Sequence, residues 1–283
     1  MNAIELRGVT KRYEGFLLDN ISLAVPRGSI LGLVGENGAG KSTTIKLIMN
    51  AIKRDGGEIF VLGQDNTSPA FQSIKQDIGI VLDEAYYPEV LNAIQVGAVM
   101  KRTYQNWDDM AYQNYLLQMN IPQKKAFRDF SRGMKMKLAI IVALSHHPKL
   151  LVLDEATSGL DPMVRDEILT LFNDFTRDEE HSVLLSSHIV SDLEKVCDYI
   201  AFLHVGKLVL CEEKDRLLEE YAIMKTSQTV LDQLPAETIV SSKTGPYGVE
   251  ALVKKSLLPR GTQVEFTTLE NIILYLAKGG ERI

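Results

Sequence analysis

The stretch Ser29-Ile30-Leu31-Gly32-Leu33-Val34-Gly35-Glu36-Asn37-Gly38-Ala39-Gly40-Lys41-Ser42-Thr43 decides the fold. Its first six residues form a short apolar run, as expected of a strand buried on both faces. A helix is predicted from Lys41 to Ala51, with Ile45, Ile48 and Ile52 on one face. Between strand and helix, Gly35-x4-Gly40-Lys41-Ser42 fills every position of the Walker A phosphate loop. The glycines let backbone N–H groups close around phosphate oxygens, and the helix N-terminus points its free donors at the same anion. Nucleotide contacts are expected at Gly35, Asn37, Gly38, Ala39, Gly40, Lys41, Ser42 and Thr43. Lys41 would bring a point charge to the β and γ phosphates of ATP, and Ser42 would ligate Mg²⁺. A glycine-rich turn alone would be weak ground; the strand before it and the amphipathic helix after it make it a nucleotide site.

Working outward, Leu150-Leu151-Val152-Leu153-Asp154-Glu155 is a second buried strand carrying two carboxylates at its end, the Walker B pattern. Ligands of parallel sheets collect at that end. Asp154 would hold the metal, and Glu155 would take a proton from, or orient, the attacking water. Asp161-Pro162 opens a helix, with aspartate as cap and proline at the first helical position. Val183-Leu184-Leu185 reads as a third central strand, ending near Ser187-His188. This alternation predicts an α/β domain with a mainly parallel sheet. Shorter, more exposed strands around Ile4-Leu6 and Leu17-Leu23 suggest an antiparallel subdomain, and residues 88–147 a helical one. Residues 1–225 are read as the nucleotide-binding domain and 226–283 as a small α+β accessory domain. The latter is expected to hold strands at Val249–Val253 and Gln263–Phe266. Thr267-Thr268-Leu269-Glu270 suggests a capping box before a helix from Asn271 to Ala277.

At 45% hydrophobic and 24% charged residues the chain has the composition of a soluble globular protein. A net charge of -6 argues against nucleic acid as a broad partner. Cys197 and Cys211 stand in no metal-like spacing and are expected to be reduced and inert. The longest apolar run, Leu138 to Leu144, falls short of the about 18 residues that suggest a membrane span. The start, Met1-Asn2-Ala3-Ile4-Glu5-Leu6-Arg7, has no signal-peptide core. The expectation is a cytoplasmic protein, soluble by itself, which could still dock onto a membrane partner.

Several further motifs follow in a fixed order. Tyr13 lies shortly after the first strand, and Ile78-Gly79-Ile80-Val81-Leu82-Asp83-Glu84 follows the phosphate-loop helix. Phe130-Ser131-Arg132-Gly133-Met134 precedes an apolar helix; Ser158-Gly159-Leu160-Asp161 and His188 complete the set. Together with the Walker motifs, over about residues 3–221, they resemble the nucleotide-binding subunits of ATP-binding-cassette (ABC) transporters. The resemblance implies a P-loop cassette with a RecA-like core. It implies that Tyr13 stacks on adenine, and that Ser131 and Gly133, in the signature segment, meet the γ-phosphate of ATP held by a second subunit. Asp161 would lie in the loop that crosses the dimer interface, and His188 would be the switch histidine. Arg132 and Met134 depart from the usual signature. Asp83 stands where the family usually has glutamine; a carboxylate there can bind Mg²⁺ or its water, but when ionised it cannot donate an amide hydrogen bond.

Three function classes follow. The first is the ATP-hydrolysing energy subunit of a transporter, paired with a second nucleotide-binding subunit (a homodimer first) and a separate transmembrane permease. Membrane contact would then run through the permease only, with the chain peripheral on the inner face of the cell membrane. The second is a soluble cassette ATPase of translation or DNA repair. The resemblance disfavours it: there is one cassette, and no sustained heptad fills residues 50–130. The third, a non-hydrolysing switch or scaffold, would be expected to lose Lys41, Glu155 or His188, and all three are present. The signature segment, Asp83, Asn106-Trp107-Asp108 and the short C-terminal region resemble type-two exporters. Their relatives export antimicrobial or amphipathic peptides, bacitracin-like and phenol-soluble-modulin substrates included.

Overall fold

The computed structural model describes residues 1–83, 87–246 and 248–279. Glu84, the last residue of the run Ile78 to Glu84, lies outside the described residues.

Six strands form the central sheet: β3 (Ile30–Val34), β6 (Ile78–Val81), β7 (Leu150–Asp154), β8 (Ser182–Ser187), β9 (Tyr199–His204) and β10 (Lys207–Glu213), in the order β10-β9-β3-β8-β7-β6. All neighbours are parallel except β10, which turns back antiparallel on β9. Both faces of the sheet are covered. Leu31, Leu33, Leu150, Val152, Leu184, Ala201 and Leu203 enter one core, while Ile30, Leu151, Leu153, Val183, Leu185, Ile200 and Phe202 enter the other. Alternate residues of each strand thus face opposite ways, and all of them are apolar. That is why the strands read as continuous hydrophobic runs.

The first core is closed by the phosphate-loop helix α1 (Lys41–Ile48) and by a second sheet of β1 (Asn2–Tyr13), β2 (Phe16–Pro26), β4 (Gly56–Val61) and β5 (Gln64–Asp65), in the order β2-β1-β4-β5. It is antiparallel as expected, but β1 and β2 are far longer than the short exposed strands predicted. Register shifts along their pairing absorb the length. Helix α1 also ends at Ile48, three residues before the predicted Ala51. Asn50 takes a left-handed backbone with φ 50°. Its N–H donates to Leu47 O at 3.0 Å, and Ala51 N–H donates to Lys46 O at 2.9 Å. That pair of bonds is a Schellman stop. After β5 the chain makes one helical turn, α2 (Phe71–Ile74), before β6.

The other core receives α3 (Ala93–Met100), α4 (Asp109–Gln118) and α5 (Arg132–Leu144) from the segment between β6 and β7. It also receives α6 (Pro162–Phe175) and α7 (Val190–Val196). Asn92 caps α3 in a full capping box with Gln95, and Asp108 caps α4. Trp107 packs against Tyr112 at a ring distance of 4.9 Å, so its place is structural. Cys197 is buried, which pushes its thiol up, in keeping with an inert role.

Helix α8 (Lys214–Glu220) leads into a three-stranded antiparallel sheet, β11 (Tyr221–Thr226), β12 (Ile239–Gly245) and β13 (Gly248–Lys254), in the order β11-β13-β12. This sheet begins at Tyr221, before the expected boundary at 226. A short turn, α9 (Gln228–Leu231), and the last helix, α10 (Leu269–Gly279), complete it. Two local expectations are corrected. Gln263–Phe266 forms no strand; Glu265 makes a single bridge with Ile223, and Phe266 is wholly exposed. The cap before α10 is Thr268, whose Oγ1 accepts from Asn271 N–H at 3.3 Å. The helix therefore starts one residue later than a Thr267–Glu270 box requires. Ile272, Ile273 and Tyr275 of α10 join the helical core, so the C-terminal segment packs onto the same hydrophobic mass as the sheet.

Candidate active site

The loop after β3 has the backbone a phosphate cradle needs. Gly38 and Gly40 have φ of 85° and 114°, a region that favours glycine. A Cβ on Gly35 would lie 2.4 Å from the carbonyl oxygen of Leu203, so only glycine lets the loop pass that close to β9. Asn37 and Gly38 are exposed, Ser42 is exposed, and Thr43 is half-buried at the helix start. Ala39 is buried and its carbonyl accepts from Gly206 N–H at 3.1 Å, fixing the loop to the β9–β10 turn.

Lys41 is buried, with 5% of its surface exposed. Its ammonium donates to Gly35 O at 2.7 Å and Glu36 O at 3.3 Å. It also lies 3.2 Å from Glu155 Oε1, close enough for an ion pair but not aligned as a hydrogen bond; Oε1 itself has no hydrogen-bond partner. The other carboxylate oxygen, Oε2, is 2.7 Å from Nδ1 of His188. Glu155 is left-handed with φ 52°, which costs on the order of 1–2 kcal/mol for a residue with a Cβ. Its N–H compensates by lying 3.1 Å from both the carbonyl and the hydroxyl oxygen of Ser186. Ser186 Oγ also donates to Asp154 Oδ1 at 2.6 Å. Lys41, Asp154, Glu155 and His188, predicted from three separate motifs, thus form one contact network.

Ser186 is the member that sequence reasoning missed. A trace was available: a polar residue in an otherwise apolar strand end, Leu184-Leu185-Ser186-Ser187-His188. What the sequence hides is that Ser186 lies directly opposite Asp154 in the parallel register.

The remaining expected residues lie elsewhere. Tyr13 ends β1, 45% exposed, with the Lys11 ammonium 5.4 Å from its ring centre. Ser131 caps α5, its Oγ accepting from Met134 N–H at 3.3 Å, and Gly133 follows in the first turn. Asp161 caps α6, accepting from Val164 N–H at 3.0 Å. Asp83 Oδ1 accepts from Arg132 Nη2 at 3.2 Å. Among the described residues, no hydrogen bond or ion pair joins Ser131 or Gly133 to Lys41, Glu155 or His188.

A parallel sheet with a glycine-rich phosphate loop, and a carboxylate pair two strands away, defines a P-loop nucleotide hydrolase. Comparison with known proteins narrows the class. Residues 18–158 match the family described as ABC transporter. The chain is 33% identical over 220 residues to the ABC transporter ATP-binding protein YtrB of Bacillus subtilis, covering 77% of this chain and 74% of that protein. It is 32% identical to an uncharacterized ABC transporter ATP-binding protein, YhcH, of the same organism, over 97% of this chain and 91% of the relative. It is 30% identical to the bacitracin transport ATP-binding protein BcrA of Enterococcus faecalis, over 73% of this chain and 68% of that one. A solved ATP-binding subunit of an ABC transporter superposes with a TM-score of 0.69 at 25% identity, covering 77% of this chain and 92% of that chain. The chain belongs to the ATP-binding subunits of ABC transporters and is an ATPase of that family.

The hydrogen-bond pattern joins Ser186 to both acidic residues, Asp154 and Glu155. Ser186→Ala removes a bond to a carboxylate, a class worth about 1.5–3 kcal/mol. ATP turnover is expected to fall about tenfold, with nucleotide affinity nearly unchanged, since no phosphate-loop contact is lost. Steady-state turnover beside equilibrium nucleotide binding checks this; wild-type turnover in a folded variant would remove Ser186 from the site.

Proposed function

We propose that this chain is the energy subunit of a bacterial exporter, closing as a dimer around ATP to drive a separate membrane permease. The observation that carries the reading is the division of the site residues. One group meets at the ends of β3, β7 and β8. The other, Ser131 and Gly133, stands apart at the N-terminus of α5. A second copy of the chain would bring its own Ser131 and Gly133 to phosphates held by the first, so a homodimer completes two sites. Asp161, in the loop before α6, would lie along that interface.

The chemistry of each residue fits its part. Backbone N–H groups from Gly35 to Thr43 surround the phosphates. The exposed Tyr13 ring offers a face to adenine, an attraction that does not depend on base edges. Lys41 exchanges its carbonyl partners for phosphate oxygens. Glu155 accepts the proton of the attacking water, and His188 orients that carboxylate and faces the γ-phosphate. Ser131 caps α5 with a lone pair, which leaves its O–H free to donate to a phosphate oxygen. Capping and phosphate binding therefore use opposite sides of one hydroxyl.

The donor set suits Mg²⁺. Ser42 has an exposed hydroxyl, and buried Asp154 commits Oδ1 to Ser186 while Oδ2 stays available. A hydroxyl and a single carboxylate, completed by phosphate oxygens and water, are ligands that Mg²⁺ accepts. Bound there, the ion would neutralise charge on the phosphoryl group being transferred. Asp83 accepts from Arg132 through Oδ1 and keeps its other oxygen, so it would meet the ion through a bound water.

Closure follows from differential binding. ATP offers a γ-phosphate to donors on both chains and favours the closed dimer; the product ADP has lost that shared group, and the dimer opens. No helix among the described residues is long and apolar enough to cross a membrane, and the reading gives the membrane path to a permease. Exposed Leu82, Val90, Ile94 and Val99, around and on α3, supply apolar surface for it, and would hold this chain to the inner face of the membrane. The likeness to BcrA supports antimicrobial or amphipathic peptides as cargo.

Three experiments test the parts separately. Glu155→Gln should retain ATP binding, lose at least 100-fold in turnover (roughly the reach of general-base catalysis) and accumulate a closed dimer on a sizing column. Wild-type turnover would end the assignment of the base. Mixing Lys41→Ala with Ser131→Arg chains should restore activity, since one composite site per mixed dimer stays whole. Verified mixed dimers without recovery would exclude the shared site. Cells lacking the chain should become more sensitive to bacitracin or to related peptides, and unaltered sensitivity across such a panel would rule out the cargo class.

A further inference from the structure

Arg132 has no part in the chemistry above, yet it touches two loops of the site. Its Nη2 donates to Asp83 Oδ1 at 3.2 Å, across 49 positions of sequence. The same guanidinium lies against Gly159. A Cβ there would come within 2.6 Å of Nη1 and 2.8 Å of Cζ, and Gly159 has φ 66°. Three segments therefore converge on one side chain: the one leaving β6, the first turn of α5, and the one leaving β7. Arginine suits the junction because its planar fork can donate at its edge while a flat face lies on a residue without a side chain. The pair is half-exposed, with 54% of each side chain accessible, so it adds little to global stability. Its consequence is local geometry.

We propose that Arg132 is a positioning residue. By bridging Asp83 and the seat at Gly159, it fixes the first turn of α5, so that Ser131 and Gly133 are presented together to the nucleotide. It also links that turn to the segment that leads from β6 toward the permease-facing surface. The inference rests on the reading that Ser131 and Gly133 contact phosphate. Ser131 is exposed; its Oγ accepts one hydrogen bond of 3.3 Å and its carbonyl one of 2.9 Å from Lys135 N–H, so the hydroxyl at the tip is lightly held. Small misplacements of a phosphate donor are costly in rate.

The test is a double-mutant cycle on the full-length chain, with Asp83→Ala, Arg132→Ala and the pair together. Each single variant is expected to lower kcat about fivefold, and the double variant no further, as for residues acting as one unit. Binding of a fluorescent ATP analogue to single chains should not change, since Tyr13 and the phosphate loop are intact. Arg132→Lys should behave like Arg132→Ala, because an ammonium cannot fill the seat and reach Asp83 together. Gly159→Ala should reproduce the kcat loss by closing the seat. Urea midpoints near that of the parent keep unfolding out of the comparison. Losses that simply multiply, or an Arg132→Lys chain with full turnover, would overturn the assignment. The Lys41→Ala and Ser131→Arg mixture run alongside separates the two levels. Recovery there with uncoupled losses here rejects Arg132 alone; no recovery there rejects the shared site, and with it the presenting role of Arg132, whatever the cycle shows.

Discussion

The meeting of Lys41, Glu155 and His188 depends on β8 lying between β3 and β7. Strands in a sheet are spaced by about 4.8 Å, so β3 and β7 stand roughly 10 Å apart. A lysine at the start of a helix after β3 can cross that gap, and a carboxylate just past the end of β7 can meet it halfway. The histidine then comes from the strand between them. Register completes the arrangement: Val34 lies opposite Ser187, and Asp154 opposite Ser186, so the three strand ends are level. A slip of one residue in β8 would turn Ser186 away from Asp154 and point Val183 and Leu185 into the wrong core. The buried apolar faces therefore hold the geometry of the site, although none of their side chains is polar.

Much of this was legible because parallel strands buried on both faces leave an unbroken signal. Leu150 to Leu153 and Ile30 to Val34 admit little else, and Asp161-Pro162 marks a helix start whose cap is seen as expected. Other features were hidden for identifiable reasons. The end of α1 is set by a left-handed asparagine, a backbone state that apolar periodicity does not reveal. Gln263–Phe266 has a strand-like alternation, but its only pairing is the bridge at Glu265. Ser186 and the Asp83–Arg132 pair are long-range facts. Sequence offered the residue types, and only the register and the packing of α5 beside β6 bring them together.

The same contrast explains why Arg132 and Asp83 looked like two separate losses in the sequence. Each departs from a familiar motif, and each alone suggests a weakened site. Their side chains meet, so the departures are one structural unit. An aspartate that meets a guanidinium through one oxygen has a partner within the chain and keeps its other oxygen. An arginine that leans on Gly159 also accounts for a glycine at that position, where any Cβ would strike it.

The placement of Lys41 bears on when hydrolysis can begin. Its ammonium is shared among two carbonyl oxygens and the near oxygen of Glu155. In the proposed cycle the phosphates draw that ammonium away, because they carry more negative charge than the carbonyls they replace. Glu155 Oε2 keeps His188, whereas Oε1 accepts no hydrogen bond and loses its neighbouring cation. Oε1 is then the oxygen open to a water molecule. Nucleotide binding would thus both deliver the phosphate and release the base that acts beside it. A partner chain completing the site from the far side would arrive at a base already freed.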